Sequence, residues 1–143
     1  MSKQPDEQDH RLLMLWAADC AEHVLPYFEE KNSEDNRPHK AIKAGRSWAR
    51  GKLRVGKVRE AAFAAHAAAR DADHPAAIAA ARAAGHAAGT AHVAGHARHA
   101  AAYALKAATA AATPNDAASA AVAERDWQYQ HIPEHLRPVV SPA

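Results

Sequence analysis

Three features of the chain predict an all-α fold, a single-domain bundle of five or six helices with alanine-rich close packing. Alanine makes up roughly half of residues 61–123, and it is the best helix former. Apolar residues near the N-terminus recur at helical spacing through Leu13, Trp16, Cys20, Val24 and Tyr27. No segment reads as a strand, and no internal repeat is visible. The length of 143 residues suits one domain. Alanine buries little area, so the core must rely on close helix approach, with bulk supplied mainly by Leu12 to Phe28.

Residues 1–8 are polar and read as a disordered tail. The bundle domain then occupies 9–130, and 131–143 forms a C-terminal tail. Asp9 is placed to cap a first helix from His10 to about Lys31, which Pro26 should bend or shorten. A second helix opens at Arg37-Pro38, where proline fits a first turn, and Gly51 ends it after Arg50. A third spans about Gly56 to Ala72. After Asp73-His74-Pro75 a long helix is expected to run to about Ala112, with a kink or break plausible at Gly89-Thr90. Thr113-Pro114-Asn115-Asp116 reads as a stop followed by a new start, with Thr113 as cap, and a last helix reaches about Tyr129. Trp127 and Tyr129 are expected to dock that helix on the bundle.

Charge narrows the function. Eighteen Lys and Arg balance sixteen Asp and Glu, for a formal net charge of +2. A dedicated nucleic-acid protein needs a larger basic excess. Residues 37–59 do form a basic block without Asp or Glu, but the acids Glu29, Glu30, Glu34 and Asp35 lie close in sequence. The start of the chain shows no signal peptide, and no long uncharged apolar stretch suits a membrane span. The single Cys20 rules out an internal disulfide and fits a reducing cytoplasm.

Two constellations can carry chemistry. His92, His96 and His99 fall on one face of the expected long helix, with Gly85 and Gly89 before them and Tyr103 after. His-x-x-x-His is a common chelating spacing, so the three are candidate ligands for a divalent transition metal such as zinc. The alternative reading is half-buried histidines paired with carboxylates or water. No acid sits between His92 and His96, which excludes the metalloprotease pattern. The second constellation is Asp19, Cys20, Glu22 and His23 on the first helix. If that helix faces the histidines, Asp19 or Glu22 can orient an imidazole, while Cys20 reads as a core residue. His66 completes the pocket candidates. His131 and His135 flank Pro133 and read as tail residues. Gly85-x-x-x-Gly89 can support close contact within the chain or in a homodimer.

Several segments resemble a family of small bacterial proteins, the putative immunity proteins. They are Leu15 to Pro26, Arg37-Pro38 with Ala41-Ile42, Thr90 to Val93 with His96, Tyr103 to Ala107, and Glu124 to Gln128. The likeness runs from about Arg11 to Leu136. It implies an all-helical, alanine-rich, cytosolic protein that protects its producer by binding a protein toxin or a toxic small molecule. It brings no catalytic residue set. The polar positions it touches are Asp19, Cys20, Glu22, His92, His96 and Tyr103. Inhibitors of nuclease toxins are usually strongly acidic, so this near-neutral chain points away from a nuclease as target. The rival expectation is a small helical enzyme or ligand-binding protein that uses the histidine-lined pocket.

Overall fold

The structure is a computed structural model and describes residues 6–140. Among them there are seven helices and no strand: α1 (Glu7–Glu29), α2 (Arg37–Ala49), α3 (Val55–Asp71), α4 (Pro75–Gly89), α5 (His96–Ala111), α6 (Ala117–His131) and α7 (Arg137–Val140), with a 3-10 turn at Glu134–Leu136. Seven replaces the expected five or six because the tail itself forms the short α7. Of the tail expected over 1–8, residues 1–5 lie outside the described residues, whereas Glu7 and Gln8 already belong to α1.

Helix α4 is the centre of the bundle and packs against α1, α2, α3 and α5. Nine alanines and Gly85 are buried along it. A helix that is apolar all round belongs inside, and its small side chains let four neighbours approach closely. Bulk comes from α1, where Leu13, Met14, Trp16, Val24, Leu25 and Phe28 are all buried.

Helix starts and stops follow local chemistry. Asp6, rather than Asp9, caps α1 by accepting from the Asp9 backbone N–H at 2.7 Å. Gly51, with φ +75°, ends α2 as expected, and the Lys52 N–H closes on the Ser47 carbonyl. Helix α6 starts at Ala117, not Pro114. Thr113 instead folds into a turn in which its hydroxyl donates to Asp116.

The long helix expected from Pro75 to Ala112 is two helices. Thr90 is fully buried, and its hydroxyl donates back to the His86 carbonyl. The Thr90 carbonyl is taken by the His10 ring rather than by a following turn of helix. Residues 90–95 then form turns, and α5 restarts at His96. The longest helix is therefore α1, with 23 residues.

Sequential helices alternate in direction. The α2–α3 connection, the 90–95 turns and the tail consequently gather at one end beside the start of α1. Three contacts tie that end together. Arg11 donates to the Trp48 and Ala49 carbonyls, His10 meets Thr90, and His135 meets Asp9 at 2.8 Å. The tail is anchored there by buried Ile132 and Leu136.

Candidate functional site

The break at 90–95 folds α5 back on α4 and builds a cluster of imidazoles that no single helix could carry. Its hub is His86, a residue outside the expected stripe. The His86 ring stacks on Tyr103, centroid to centroid 5.1 Å at 9°. It lies 5.3 Å from His96 and 5.5 Å from His99, and His66 meets its edge at 4.9 Å. Nδ1 of His86 and Nδ1 of His96 are 3.1 Å apart. One must donate and the other accept, so the two rings hold different tautomers.

Glycine makes room for the rings. A Cβ on Gly85 would come within 2.6–2.8 Å of three atoms of the His66 ring, and one on Gly89 would sit 3.4 Å from the His96 ring. The glycine pair thus receives side chains, not a partner helix. Arg82 Nη1 donates to His66 Nδ1 at 2.9 Å, which leaves the His66 proton on Nε2. A cavity of about 220 Å³ opens beside these rings, lined by Phe63, His66, His92 and His96 over Gly85 and Gly89. Arg59 stands at its rim.

Burial depresses the basicity of this cluster. His66 falls to about 4, through desolvation first and then the positive charges of Arg82 and Arg70. His86 also falls to about 4, through desolvation and the neighbouring His66, His96 and His99. His96 is lowered for the same two reasons. His66, His86 and His96 are therefore neutral near pH 7.

The sequence candidates divide. His66, His96, His99 and Tyr103 come together around His86. His92 lies in the turns, exposed, and only rims the cavity, so His92, His96 and His99 do not share one helix face. Among the described residues no group of three or more His, Cys, Asp or Glu is arranged to hold a metal ion. Asp19 and Glu22 face α2, not the histidines. Arg46 joins them, donating to Asp19 at 2.8 Å and to Glu22 at 2.7 and 3.0 Å. Cys20 is fully buried. Burial, then the charges of Glu124 and Asp19, push its thiol well above the ordinary value, which makes it a poor nucleophile.

Sequence reasoning missed a second polar assembly. Glu124 on α6 is only 4% exposed and meets His23 Nδ1 at 2.7 Å. Gln128 Nε2 donates to Glu124 and to the Ala101 carbonyl, while Trp16 Nε1 donates to the Gln128 carbonyl. His23 stacks on Trp127, and Trp127 on His131. The only buried positions on α6 are Glu124 and Gln128, so the helix docks through polar groups and the flank of Trp127. Tyr129 faces outward, half-exposed, beneath Arg137. No buried side-chain polar atom among the described residues lacks a partner.

Comparison with known proteins decides the family. The model of a family described as Imm-5 like putative immunity protein matches residues 3–135. The chain belongs to that family. No curated protein and no solved structure matches it. The Imm-5 like match covers nearly the whole bundle, including the imidazole cluster, the Glu124 network and the basic connection between α2 and α3. No helix among the described residues of this Imm-5 like chain is long and apolar enough to cross a membrane.

Proposed function

We propose that this chain is a cytosolic self-protection factor that binds a protein toxin directly, and that the contact is made at the end of the bundle carrying the α2–α3 connection. The observation behind this is the separation of charge along the bundle. Arg50, Lys52 and Arg54 stand exposed at that end, with no acidic partner among the described residues. The acids that balance them in sequence, Glu29, Glu30 and Glu34, sit at the far end of α2. A 13-residue helix is about 20 Å long, well beyond a Debye length of about 8 Å. A net charge of +2 therefore conceals an uneven spread of charge, even though Asp6, Glu7 and Asp9 at the start of α1 share the basic end. A basic end suits an acidic toxin surface and speeds encounter with it.

The test is co-expression with toxins encoded beside this chain, with survival and co-elution as readouts. One neighbouring product should be neutralised. Arg50→Glu with Lys52→Glu and Arg54→Glu should slow association and weaken its salt dependence. Failure to bind or neutralise any neighbouring toxin overturns the proposal.

A second reading is favoured by the cavity beside His66 and His96, in which a toxic small molecule would be the target. Its test is ligand-dependent thermal stabilisation that Gly89→Leu, by filling the cavity, removes.

A further inference from the structure

We propose that the groove between α5, α6 and α7 is a binding site for an aromatic dicarboxylate, a flat apolar body with a negative charge at each end. The site is separate from the imidazole cluster and does not depend on the toxin reading. Its cavity measures about 390 Å³, within the roughly 300–1,000 Å³ of small-molecule pockets. Spacing on the two long helices builds it. Arg98, Ala101 and Leu105 share one face of α5, and Arg125, Gln128 and Ile132 repeat that spacing along α6 to its C-cap. A small residue, Ala101, faces a helix that docks through Gln128 rather than through a leucine, so volume is left between the two.

The floor of the groove offers apolar surface. Trp16, Ala101 and Ile132 are buried there. The polar groups among them are already engaged: Trp16 Nε1 donates to the Gln128 carbonyl at 2.9 Å, and Gln128 Nε2 donates to the Ala101 carbonyl at 2.9 Å. A ring system can cover such a floor without stranding a hydrogen bond. Charge sits at the two ends. Sequential helices run antiparallel, and the Gln128–Ala101 bond sets the register of α5 against α6. Arg98 therefore lies level with Ile132, and Arg125 lies level with Leu105. The step from residue 98 to residue 105 is about 10 Å along the helix. Both arginines are exposed, and neither has an ion pair or hydrogen bond among the described residues. No Asp or Glu among the described residues lines the cavity, and Asp126, next to Arg125 in sequence, is outside it. Two guanidinium groups at opposite ends of an apolar trough complement a dianion of similar length. Each can hold one carboxylate through two parallel hydrogen bonds. Naphthalene-2,6-dicarboxylate, rigid and charged at opposite corners, has that form.

The experiment uses the tag-free full chain, titrated calorimetrically with naphthalene-2,6-dicarboxylate, with 2-naphthoate and with uncharged 2-naphthalenemethanol. One equivalent of the diacid should bind, at least fivefold tighter than the monoacid, and the monoacid should bind tighter than the alcohol. Added salt should weaken the diacid most. Arg98→Gln and Arg125→Gln should each bring the diacid down to the affinity of the monoacid, with the helical spectrum and urea midpoint unchanged, since both side chains are exposed. Ala102→Trp, at an exposed position on the groove wall, should block binding. Lys40→Gln with Lys43→Gln, exposed on α2 and away from the groove, should leave it unchanged. No binding of the diacid at millimolar concentration overturns the proposal. So does a diacid that binds no tighter than the monoacid, binding that survives the double change at Arg98 and Arg125, or binding lost equally with the α2 lysines.

Discussion

Replacing Gly85 with alanine separates two effects that usually travel together. In an open helix the change stabilises by about 1 kcal/mol, because alanine restricts the unfolded chain and favours helix. Here the new Cβ would sit 2.6–2.8 Å from Cε1, Nε2 and Cδ2 of His66, and the ring cannot turn freely. Arg82 holds its Nδ1 at 2.9 Å, and its far side meets the edge of His86. Displacing it forfeits a charge-assisted hydrogen bond and forces local repacking, together about 2–3 kcal/mol. The net effect in the natural chain is a loss of about 1–2 kcal/mol. In a His66→Ala background the obstacle is gone, and Gly85→Ala should stabilise by about 1 kcal/mol. The coupling is therefore about 2–3 kcal/mol, within the range of contacting pairs. Urea unfolding of the four proteins measures it, and each kcal/mol corresponds to about 3–4 °C in melting temperature for a domain of this size. If Gly85→Ala stabilises both backgrounds equally, His66 does not occupy the glycine notch and the imidazole cluster is not assembled as described.

Three further outcomes follow from the same contacts. Stability should fall as pH drops from about 6.5 towards 4. His66 and His86 titrate near 4 when folded and near the ordinary histidine value of about 6.5 when unfolded, so the unfolded chain takes up protons first. His66→Ala should flatten that slope, and urea midpoints at pH 7 and pH 4.5 that shift equally in both proteins would refute the assignment. Cys20 should react with a thiol reagent only after unfolding, given its complete burial and raised thiol basicity; labelling within seconds in native buffer contradicts it. Arg46→Ala should destabilise by about 1 kcal/mol, since the guanidinium clamps both Asp19 and Glu22 but the carboxylates are partly exposed. A midpoint unchanged in urea would mean the α1–α2 clamp is solvated away.

Helix existence was legible almost everywhere, because alanine content and apolar spacing are local signals. The start of α2, its glycine stop and the apolar stripe of α1 need nothing beyond their own residues. The histidine site was only partly legible. On one continuous helix His86 lies about 100° from Gly85 and off the stripe, so no periodicity argument could join it to His96. What brings them together is the reversal at Thr90, fixed by a hydroxyl bond to the His86 carbonyl and by the His10 ring from a helix 80 residues away. A tertiary contact decided the geometry, and the sequence signal was limited to Gly89-Thr90 as a weak point. Asp19 and Glu22 carried a similar ambiguity. Their spacing on α1 placed them on one face, but only the position of Arg46 on the neighbouring helix revealed which partner that face meets. Nothing local marks Glu124 and Gln128 as buried, because carboxylates and amides are seldom buried without partners, and their partners lie on α1 and α5.

The polar assemblies and the alanine core belong to one design. A central helix of alanine and glycine brings its neighbours close, but it cannot supply the volume that leucine or phenylalanine would where those neighbours diverge. Near the basic end the gap between α3, α4 and α5 is filled by His66, His86 and His96. Between α1, α5 and α6 it is filled by Glu124, Gln128 and the flank of Trp127. Imidazole, carboxylate and amide groups are tolerable as filler only when each finds its partner, and every buried polar side-chain atom among the described residues does. Such filling demands a stricter geometry than apolar packing, because a shift that leaves a methyl group content leaves a buried hydrogen bond broken. It also leaves usable chemistry inside the fold: neutral imidazoles held beside a cavity. An apolar filler of the same volume would give a bundle of similar shape without a place for a ligand. Isosteric apolar replacement of His86 by leucine should therefore preserve the helical bundle while abolishing whatever the imidazole site binds.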